Sequence, residues 1–245
     1  MDKEMDQNKV CFKRKHASYV AGCGMIDDKD IKKALSCLHP REREHCDRLK
    51  YDQPKKNYLL GRAAAKKAIR ELLPALDGQA IFVDQGVFGF PVVKGEAVQN
   101  IQVSISHCDN KGIAMAFPED HPLGIDLEKV DRDKKDAMMY TMTPQELKQE
   151  WERGLAYEQY CTIVWTAKEA LSKIFRTGLM LDFKLAELDQ LAKTGVFYTS
   201  SFKHFPQYKA VSYCSGVYVC SVVFPKNSEA EWGKFFERLD QFAGS

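Results

Sequence analysis

Two helices are predicted by HPREREHCDRLK, residues 39–50, and NYLLGRAAAKKAIRELL, residues 57–73. Pro40 suits the first turn of a helix, where the backbone N–H that proline lacks has no partner to lose. In the second stretch apolar residues recur at helical spacing until Pro74 and Gly78 end the pattern. Short strand signals follow, separated by Gly, Pro, Asn and Asp. They lie at residues 80–84, 102–106, 112–117 and 123–127.

The same order of elements returns in the second half of the chain. Pro144 opens a helix, residues 158–175 form a long second helix, and strand signals recur near 183–188, 196–201, 207–213 and 216–224. A shift of 104 residues places Pro40 on Pro144 and Glu42 on Glu146. Identity across this shift is near random, so the order of elements is the stronger evidence. We predict an α+β fold with two similar halves related by a pseudo-twofold axis.

The domain boundaries follow from this repeat. Residues 1–16 are highly charged and are expected to be a flexible N-terminus. Residues 17–121, with a strand at 18–24 and a helix at 28–38, form the N-terminal half. Residues 122–245 form the C-terminal half. Residues 85–100 are expected to be a Gly-rich loop.

Composition narrows the class of protein. The chain has 245 residues, of which 44% are hydrophobic and 29% charged, as in ordinary globular proteins. A net charge of +2 gives no reason to expect a nucleic acid or a membrane as partner. Residues 1–75 carry 18 Lys or Arg against 11 Asp or Glu, a surplus of +7. This surplus is compatible with an anionic ligand and equally with solvated helix faces.

The eight cysteines are scattered and contain no C-x-x-C pair. In a chain of this size they are expected to be reduced thiols of a cytoplasmic protein. No apolar run approaches the ~20 residues of a membrane span. Residues 1–15 are polar and show no secretory signal.

The stretch PLGIDLEK, residues 122–129, places two carboxylates on one face of a strand. Asp126 and Glu128 lie two residues apart, whereas Ile125 and Leu127 point the other way, into the core. Two carboxylates ~4 Å apart repel by about 4 kcal/mol at an effective dielectric near 20, so a cation is expected beside them. The alternative is an ordinary solvated strand end.

The stretch WTAKEALSK, residues 165–173, places Glu169 and Lys173 on one helix edge, with Arg176 beyond them. Alone, the pair is compatible with a surface ion pair of little energetic value. Together with Asp126 and Glu128, the third carboxylate completes an all-oxygen set of the kind that Mg²⁺ prefers, with Lys173 placed to neutralise phosphate.

The stretch VSISHC, residues 103–108, ends an alternating strand at His107. A histidine in this place is a structural hydrogen-bonding group or a phosphate ligand. The order S-x-S-H, then G-I-D-L-E, then W-T-A-K-E-A-L-S-K resembles the motif series of the Sfp-type 4′-phosphopantetheinyl transferases. The upstream stretches HPREREHCDR and LLGR are also similar to that family. The resemblance spans about residues 38–224.

The resemblance implies a pseudo-twofold pair of α+β halves with coenzyme A bound in the cleft between them. It implies that Asp126, Glu128 and Glu169 hold Mg²⁺ against the coenzyme A diphosphate, and that Lys173 contacts the adjacent phosphates. Glu169 is expected to be the base. Glu146 falls where the family has an acidic residue ahead of the long helix, and it completes the expected catalytic set of Glu169, Lys173 and Glu146.

The resemblance also implies a nucleotide subsite. His107, with Ser106, is expected to contact the 3′-phosphate of the adenosine, and the loop FGFPVV at residues 88–93 is expected to cover the nucleotide. The loop residues are Phe88, Gly89, Phe90 and Pro91, and the candidate basic ligands are Arg41, Lys56 and Arg62, with Arg43 as a further candidate. Two departures stand out. Phe90 replaces the lysine of the family's G-K-P, so another base must compensate, and after Lys173 only Gly178 remains of a G-x-G pair.

The expected function is therefore transfer of phosphopantetheine from coenzyme A to a serine of an acyl or peptidyl carrier protein by a cytoplasmic monomer. The carrier would belong to fatty-acid, polyketide or nonribosomal-peptide biosynthesis. Three alternatives stay open: a Mg²⁺-dependent phosphohydrolase, a basic nucleic-acid-binding module, and an inactive relative that binds coenzyme A. The phosphohydrolase predicts release of phosphate from a nucleotide without a carrier. The nucleic-acid binder predicts salt-sensitive retention on DNA or RNA with no requirement for Asp126.

Overall fold

Two five-stranded antiparallel sheets and two long helices make up most of the fold. The computed structural model describes residues 8–148 and 155–245. In chain order, with bounds given in the next paragraph, the strands are numbered β1 (first at Lys9) to β12 (last at Ala230) and the helices α1 to α7. The first sheet has the strand order β12-β1-β2-β6-β5 and the second the order β7-β11-β10-β9-β8, and β3 and β4 form a separate hairpin. Helix α3 packs against β2 and β6 of the first sheet, and α6 against β7 and β11 of the second. The predicted α+β fold with two similar halves is confirmed.

The helices and strands of the described residues have the following bounds. The helices are α1 Ile31–Ser36, α2 Pro40–Arg48, α3 Asp52–Leu72, α4 Lys135–Tyr140, α5 Pro144–Lys148, α6 Tyr157–Phe175 and α7 Gly233–Gly244. The strands are β1 Lys9–Arg14, β2 Ala17–Asp27, β3 Phe82–Gln85, β4 Pro91–Lys94, β5 Ile101–Cys108, β6 Lys111–Pro118, β7 Gly124–Lys129, β8 Leu188–Thr194, β9 Phe197–Phe202, β10 Tyr208–Ser215, β11 Tyr218–Pro225 and β12 Glu229–Ala230.

Glycines bring each long helix close to its sheet. A Cβ on Gly22 of β2 would lie 2.2 Å from the carbonyl oxygen of Ala68 on α3. A Cβ on Gly124 of β7 would lie 1.8 Å from the carbonyl oxygen of Ala170 on α6. The two pairs are related by the same shift of 102 residues. The helix therefore packs against a glycine of its sheet in the same way in both halves.

A buried ion pair is also repeated in the two halves. Glu42 of α2 pairs with Lys66 of α3 at 2.7 Å, and Glu146 of α5 pairs with Lys168 of α6 at 2.7 Å. Each carboxylate also accepts a backbone N–H from the strand region that follows its long helix, Val83 at 2.9 Å and Leu188 at 2.9 Å. This correspondence supports the pseudo-twofold relation.

One apolar core lies between the two sheets. It contains residues of β1, β6, β7 and β11, including Phe12, Ile113, Ile125 and Val222, which are at most 1% exposed. Trp232, just before α7, lies 5.7 Å from the ring of Phe12, so the C-terminal helix covers one side of this core. Smaller clusters lie under α3 and α6.

Several sequence predictions need correction. The flexible terminus does not extend to residue 16, because β1 pairs with β2 and buries Val10 and Phe12; residues 1–7 lie outside the described residues. The stretch 85–100 is not one loop, since β4 pairs with β3. The strand predicted near 183–188 begins only at Leu188. β12 pairs with β1, so residues 122–245 do not keep to one sheet.

All eight cysteines are free thiols, and most are buried. No helix in the described part of the chain combines the length and the apolarity that crossing a membrane requires.

Candidate functional site

The two sheets meet where β5 lies beside β7, and two serine hydroxyls connect them. The backbone N–H of Ile125 donates to the Ser104 hydroxyl at 3.0 Å, and that of Leu127 donates to the Ser106 hydroxyl at 3.2 Å. Both serines are buried. These bonds fix β7 against β5 and therefore fix the direction of Asp126, which lies between the two donors.

Asp126 is a buried carboxylate with one oxygen bonded and the other free. Its Oδ1 accepts from the Ser106 hydroxyl at 2.7 Å and from Lys173 Nζ at 2.7 Å. Lys173 also donates to the carbonyl of Ile125 at 2.8 Å. The side chain of Asp126 is 2% exposed, and its Oδ2 has no hydrogen-bond partner. An unbonded carboxylate oxygen is costly to bury, so this atom fits a cationic ligand.

Ser106 therefore has a different contact from the one expected. Its single hydroxyl proton goes to Asp126, and its oxygen accepts from Leu127. In this structure Ser106 orients a carboxylate instead of facing a phosphate.

Glu128 follows Asp126 on the same face of β7. Burial raises the pKa of Glu128, and the nearby Asp126 carboxylate raises it further. Lys134 lies 3.6 Å from its Oε2, and the Cys108 thiol donates to the same atom at 3.6 Å. The expected neighbouring cations are thus present, Lys173 at Asp126 and Lys134 at Glu128.

Glu169 faces these carboxylates from α6. Burial raises its pKa to about 7, the negative charge of Asp126 adds to the rise, Lys173 opposes it and Glu128 adds again. A carboxyl that titrates near neutrality in a polar cleft is a candidate proton acceptor. The close packing of Gly124 under Ala170 positions Glu169 and Lys173 over β7.

The oxygen atoms of the three carboxylates are the donor type that Mg²⁺ prefers, but the described side chains do not form a preformed metal site. Within residues 8–148 and 155–245, no three His, Cys, Asp or Glu side chains stand close enough to hold a metal ion. Asp126 instead accepts a hydrogen bond from Lys173. The hard oxygen donors and the free Oδ2 of Asp126 are what a magnesium ion would use.

His107 ends β5 beside this cluster. Its side chain is exposed, yet partial desolvation lowers its pKa, and the positive charge of Lys173 lowers it further. His107 therefore lies within electrostatic reach of Lys173 and Asp126, as expected for a residue of the same site.

The loop between β3 and β4 borders the same cleft. A cavity of about 200 Å³ is lined by residues of this loop, of β5 and of the end of α6. Its lining includes Phe88, Gly89, Phe90, Pro91, Ser104, Lys173 and Arg176. The structure thus brings the predicted covering loop and Lys173 together.

A second pocket of about 270 Å³ lies between α2, α3 and β3, and we call it the basic pocket because its arginines outnumber its two carboxylates, Glu44 and Asp84. Arg41 and Arg62 line it, as do His45, Arg48 and Tyr58, which sequence reasoning missed. The guanidinium carbon of Arg62 lies 4.6 Å from the Tyr58 ring centroid, and Arg62 Nε is buried without a partner. Cations beside an aromatic ring suit a flat anionic ligand. No spacing rule links α2 to α3, so only the folded chain reveals this pocket.

Lys56 and Arg43 do not join the basic pocket. Lys56 pairs with Asp28 at 2.9 Å and donates to Asn110. Arg43 donates to the carbonyl of Leu35 at 2.7 Å. Of the basic candidates from the sequence, Arg41 and Arg62 are the two that meet.

Glu146, which was expected in the catalytic set, lies in a buried ion pair with Lys168 and not beside Lys173 and Asp126. Glu146 is 1% exposed, and its oxygens are taken by Lys168 and by the backbone N–H groups of Thr143 and Leu188. Both oxygens of this carboxylate are thus occupied by groups of the protein itself. Its ion pair links α5 to α6, as the ion pair of Glu42 links α2 to α3.

The match to a known protein family lies in the C-terminal half of the chain. The family model described as "4'-phosphopantetheinyl transferase superfamily" matches residues 122–223, which contain Asp126, Glu128, Glu169 and Lys173. No curated protein matches the sequence.

Among solved structures, two holo-acyl-carrier-protein synthases are similar to this chain. The one from Bacillus anthracis, solved in complex with CoA (3′,5′-ADP), is 23% identical with a TM-score of 0.36 over 40% of this chain and 93% of its own. The one from Plasmodium yoelii is 24% identical with a TM-score of 0.33 over 40% of this chain and 91% of its own.

Proposed function

We propose that this chain transfers the 4′-phosphopantetheine group of coenzyme A to a serine of an acyl or peptidyl carrier protein, and the match of residues 122–223 to the 4′-phosphopantetheinyl transferase superfamily supports this proposal. The observation that carries the proposal is the state of Asp126. It is a buried carboxylate with Lys173 on one oxygen and no partner on the other. Glu169 beside it has a pKa raised to about 7.

Asp126, Glu128 and Glu169 would hold Mg²⁺ in the working enzyme. Bound there, the ion would neutralise the diphosphate of coenzyme A and favour attack at phosphorus. The free Oδ2 of Asp126 supports this assignment, because a cation would satisfy it. Lys173 would then leave Asp126 for a phosphate oxygen.

Glu169 is our candidate base. It takes the proton of the carrier serine hydroxyl, directly or through a water molecule, and its pKa near neutrality suits that role. The serine oxygen forms a bond to the β-phosphorus as the bond from that phosphorus to the bridging diphosphate oxygen breaks. The electron pair leaves with adenosine 3′,5′-bisphosphate, and Lys173 counters its charge. Reactions of this kind depend on positioning and electrostatics.

The basic pocket supports a nucleotide subsite. Arg41, Arg62 and Tyr58 offer cations and an aromatic face, and His107 lies within electrostatic reach of Lys173 and Asp126. We assign the adenosine and its 3′-phosphate to the region between this pocket and His107. All these residues lie in one chain, so we propose that a monomer acts. The +7 surplus of residues 1–75 would favour an acidic carrier.

The test is to incubate the full chain with coenzyme A, Mg²⁺ and several apo carrier proteins and to weigh the carriers. We expect a mass gain of one phosphopantetheine group, and Asp126→Ala should abolish it while the circular dichroism spectrum stays native. The absence of any gain across the carriers would refute the proposal. Release of phosphate from a nucleotide without a carrier would instead identify a phosphohydrolase.

A further inference from the structure

Arg176 occupies an unusual backbone position at the end of α6. It is the C-cap of the helix and lies in the left-handed region, with φ 58° and ψ 25°. Among the described residues with positive φ that are not glycine, the other two are Asn100 and Asp109. Asn and Asp tolerate this conformation, whereas a long side chain such as arginine is disfavoured there. Such positions are often retained at binding sites.

The side chain of Arg176 crosses the cleft to the other half of the molecule. Its guanidinium carbon lies 5.0 Å from the ring centroid of Phe90 in the β3–β4 loop. The Phe90 ring lies against Gly86, where an added Cβ would come within 2.5 Å of the ring. The Gly86 N–H donates to the Phe90 carbonyl at 2.7 Å, so the ring has a fixed place. A guanidinium held over an aromatic ring by a cation–π contact still has N–H donors for an anionic ligand.

Arg176 is also a cation of this cleft without an ion-pair partner among the described residues. Its side chain is exposed, and within residues 8–148 and 155–245 it has no carboxylate within ion-pair distance, whereas Lys173 is bonded to Asp126. Arg176 and Lys173 line the same cavity of about 200 Å³. Glu119 borders another cavity with Arg176 but forms no ion pair with it. An unpaired arginine beside a lysine at the mouth of a cleft is suited to a dianion.

We propose that Arg176, held over the ring of Phe90, binds the diphosphate of coenzyme A beside Lys173. This inference rests on the proposed function. It also answers a question left by the sequence, because the loop has Phe90 where a cation is expected and another base must compensate. The cation is carried by the helix end instead of by the loop, and Phe90 holds it in place.

The experiment is calorimetric titration of coenzyme A, and separately of dephospho-coenzyme A, into the full chain with Mg²⁺. The main variant is Arg176→Gly, since glycine accepts the left-handed conformation and the variant should unfold at the same temperature or higher. We expect about a tenfold or greater loss of affinity for both ligands, the scale of a lost charged hydrogen bond. Adding Phe90→Lys to Arg176→Gly should restore most of the affinity, because the cation returns through the loop.

The control is Arg132→Ala, an exposed arginine with a long 3.8 Å contact to Glu158, which should bind both ligands like the unsubstituted chain. Unchanged affinity in Arg176→Gly would overturn the inference, as would a loss confined to coenzyme A, which would place the contact at the 3′-phosphate. Failure of the unsubstituted chain to bind coenzyme A would overturn the proposed function itself and this inference with it.

Discussion

Asp126, Glu128 and Glu169 form a group of neighbouring carboxylates in which the charged form of Glu169 is unfavourable. Glu169 is partly buried beside another carboxylate, and both effects raise its pKa. Lys173 is shared between the Ile125 carbonyl and Asp126, so it cannot fully offset three negative charges. In the metal-free protein this cluster should therefore cost stability.

Glu169→Gln tests that cost through its dependence on pH. The folded-state pKa of Glu169, about 7, lies above its ordinary value of 4.5, so the folded protein favours the protonated form. The stability from this group is complete below pH 4.5 and is lost as the pH rises through 7. In the metal-free protein, Glu169→Gln should raise the free energy of unfolding by about 1–3 kcal/mol at pH 8 and change it little at pH 4.5.

Urea unfolding at the two pH values measures this difference. The exposed Glu237→Gln on α7 serves as control and should show no such dependence. Equal unfolding free energies of Glu169→Gln and the unsubstituted chain at pH 8 would mean that Glu169 is not held in a charged cluster.

Among the elements, α6 and β7 depend on each other. β7 carries Asp126 and Glu128, α6 carries Glu169 and Lys173, and their separation is set where Gly124 meets Ala170. The first sheet repeats the arrangement with Gly22 and Ala68, without the acidic residues. Both halves thus pack a strand glycine closely against a helix carbonyl, and in the second half this packing positions the site.

Gly124→Ala should disturb both stability and activity. The added Cβ would lie 1.8 Å from the backbone oxygen of Ala170, so the helix or the strand must shift. We expect a loss of about 2 kcal/mol or more in unfolding free energy and a large loss of phosphopantetheine transfer at temperatures where the variant is folded. Gly233→Ala, whose added Cβ meets nothing within 4 Å, is the matched control. Native stability in Gly124→Ala would contradict the close packing.

The sequence predicted most of the elements that carry their own pattern, but not the amphipathic helix α7. α3 and α6 repeat apolar residues at helical spacing, and β5, β6 and β7 alternate or run apolar between turn residues. β4 and β12 were missed because they are short and exist by pairing with β3 and β1. The six-residue α4 was missed because it is stabilised by tertiary contacts such as Met138 against α6.

At the scale of the whole molecule, the pseudo-twofold relation bears on the expected catalytic set. Asp126, Glu128, Glu169 and Lys173 were named from their places on one strand and one helix and from the family resemblance, and their roles stay predictions. Glu146 was named from the resemblance, because its partner Lys168 is 22 residues away and no local pattern distinguishes a buried ion pair from a catalytic acid. The mirrored Glu42–Lys66 pair makes the distinction clear.

Glu146→Gln should therefore affect folding and not chemistry. Removing one partner of a buried ion pair leaves Lys168 uncompensated, which typically costs about 3–5 kcal/mol. Glu42→Gln, the matched change in the other half, should cost a similar amount. In the folded variants, kcat for transfer should stay within about twofold of the unsubstituted chain. A native unfolding free energy with abolished kcat would restore the catalytic interpretation of Glu146.

The convergence of three carboxylates on one divalent ion can be measured with Mn²⁺ as a spectroscopic substitute for Mg²⁺. Electron paramagnetic resonance titration in the presence of coenzyme A should show one bound Mn²⁺ per chain, and Asp126→Asn and Glu169→Gln should each abolish that binding while Glu237→Gln keeps it. Undiminished Mn²⁺ binding in both Asp126→Asn and Glu169→Gln would show that these side chains do not form a shared metal site.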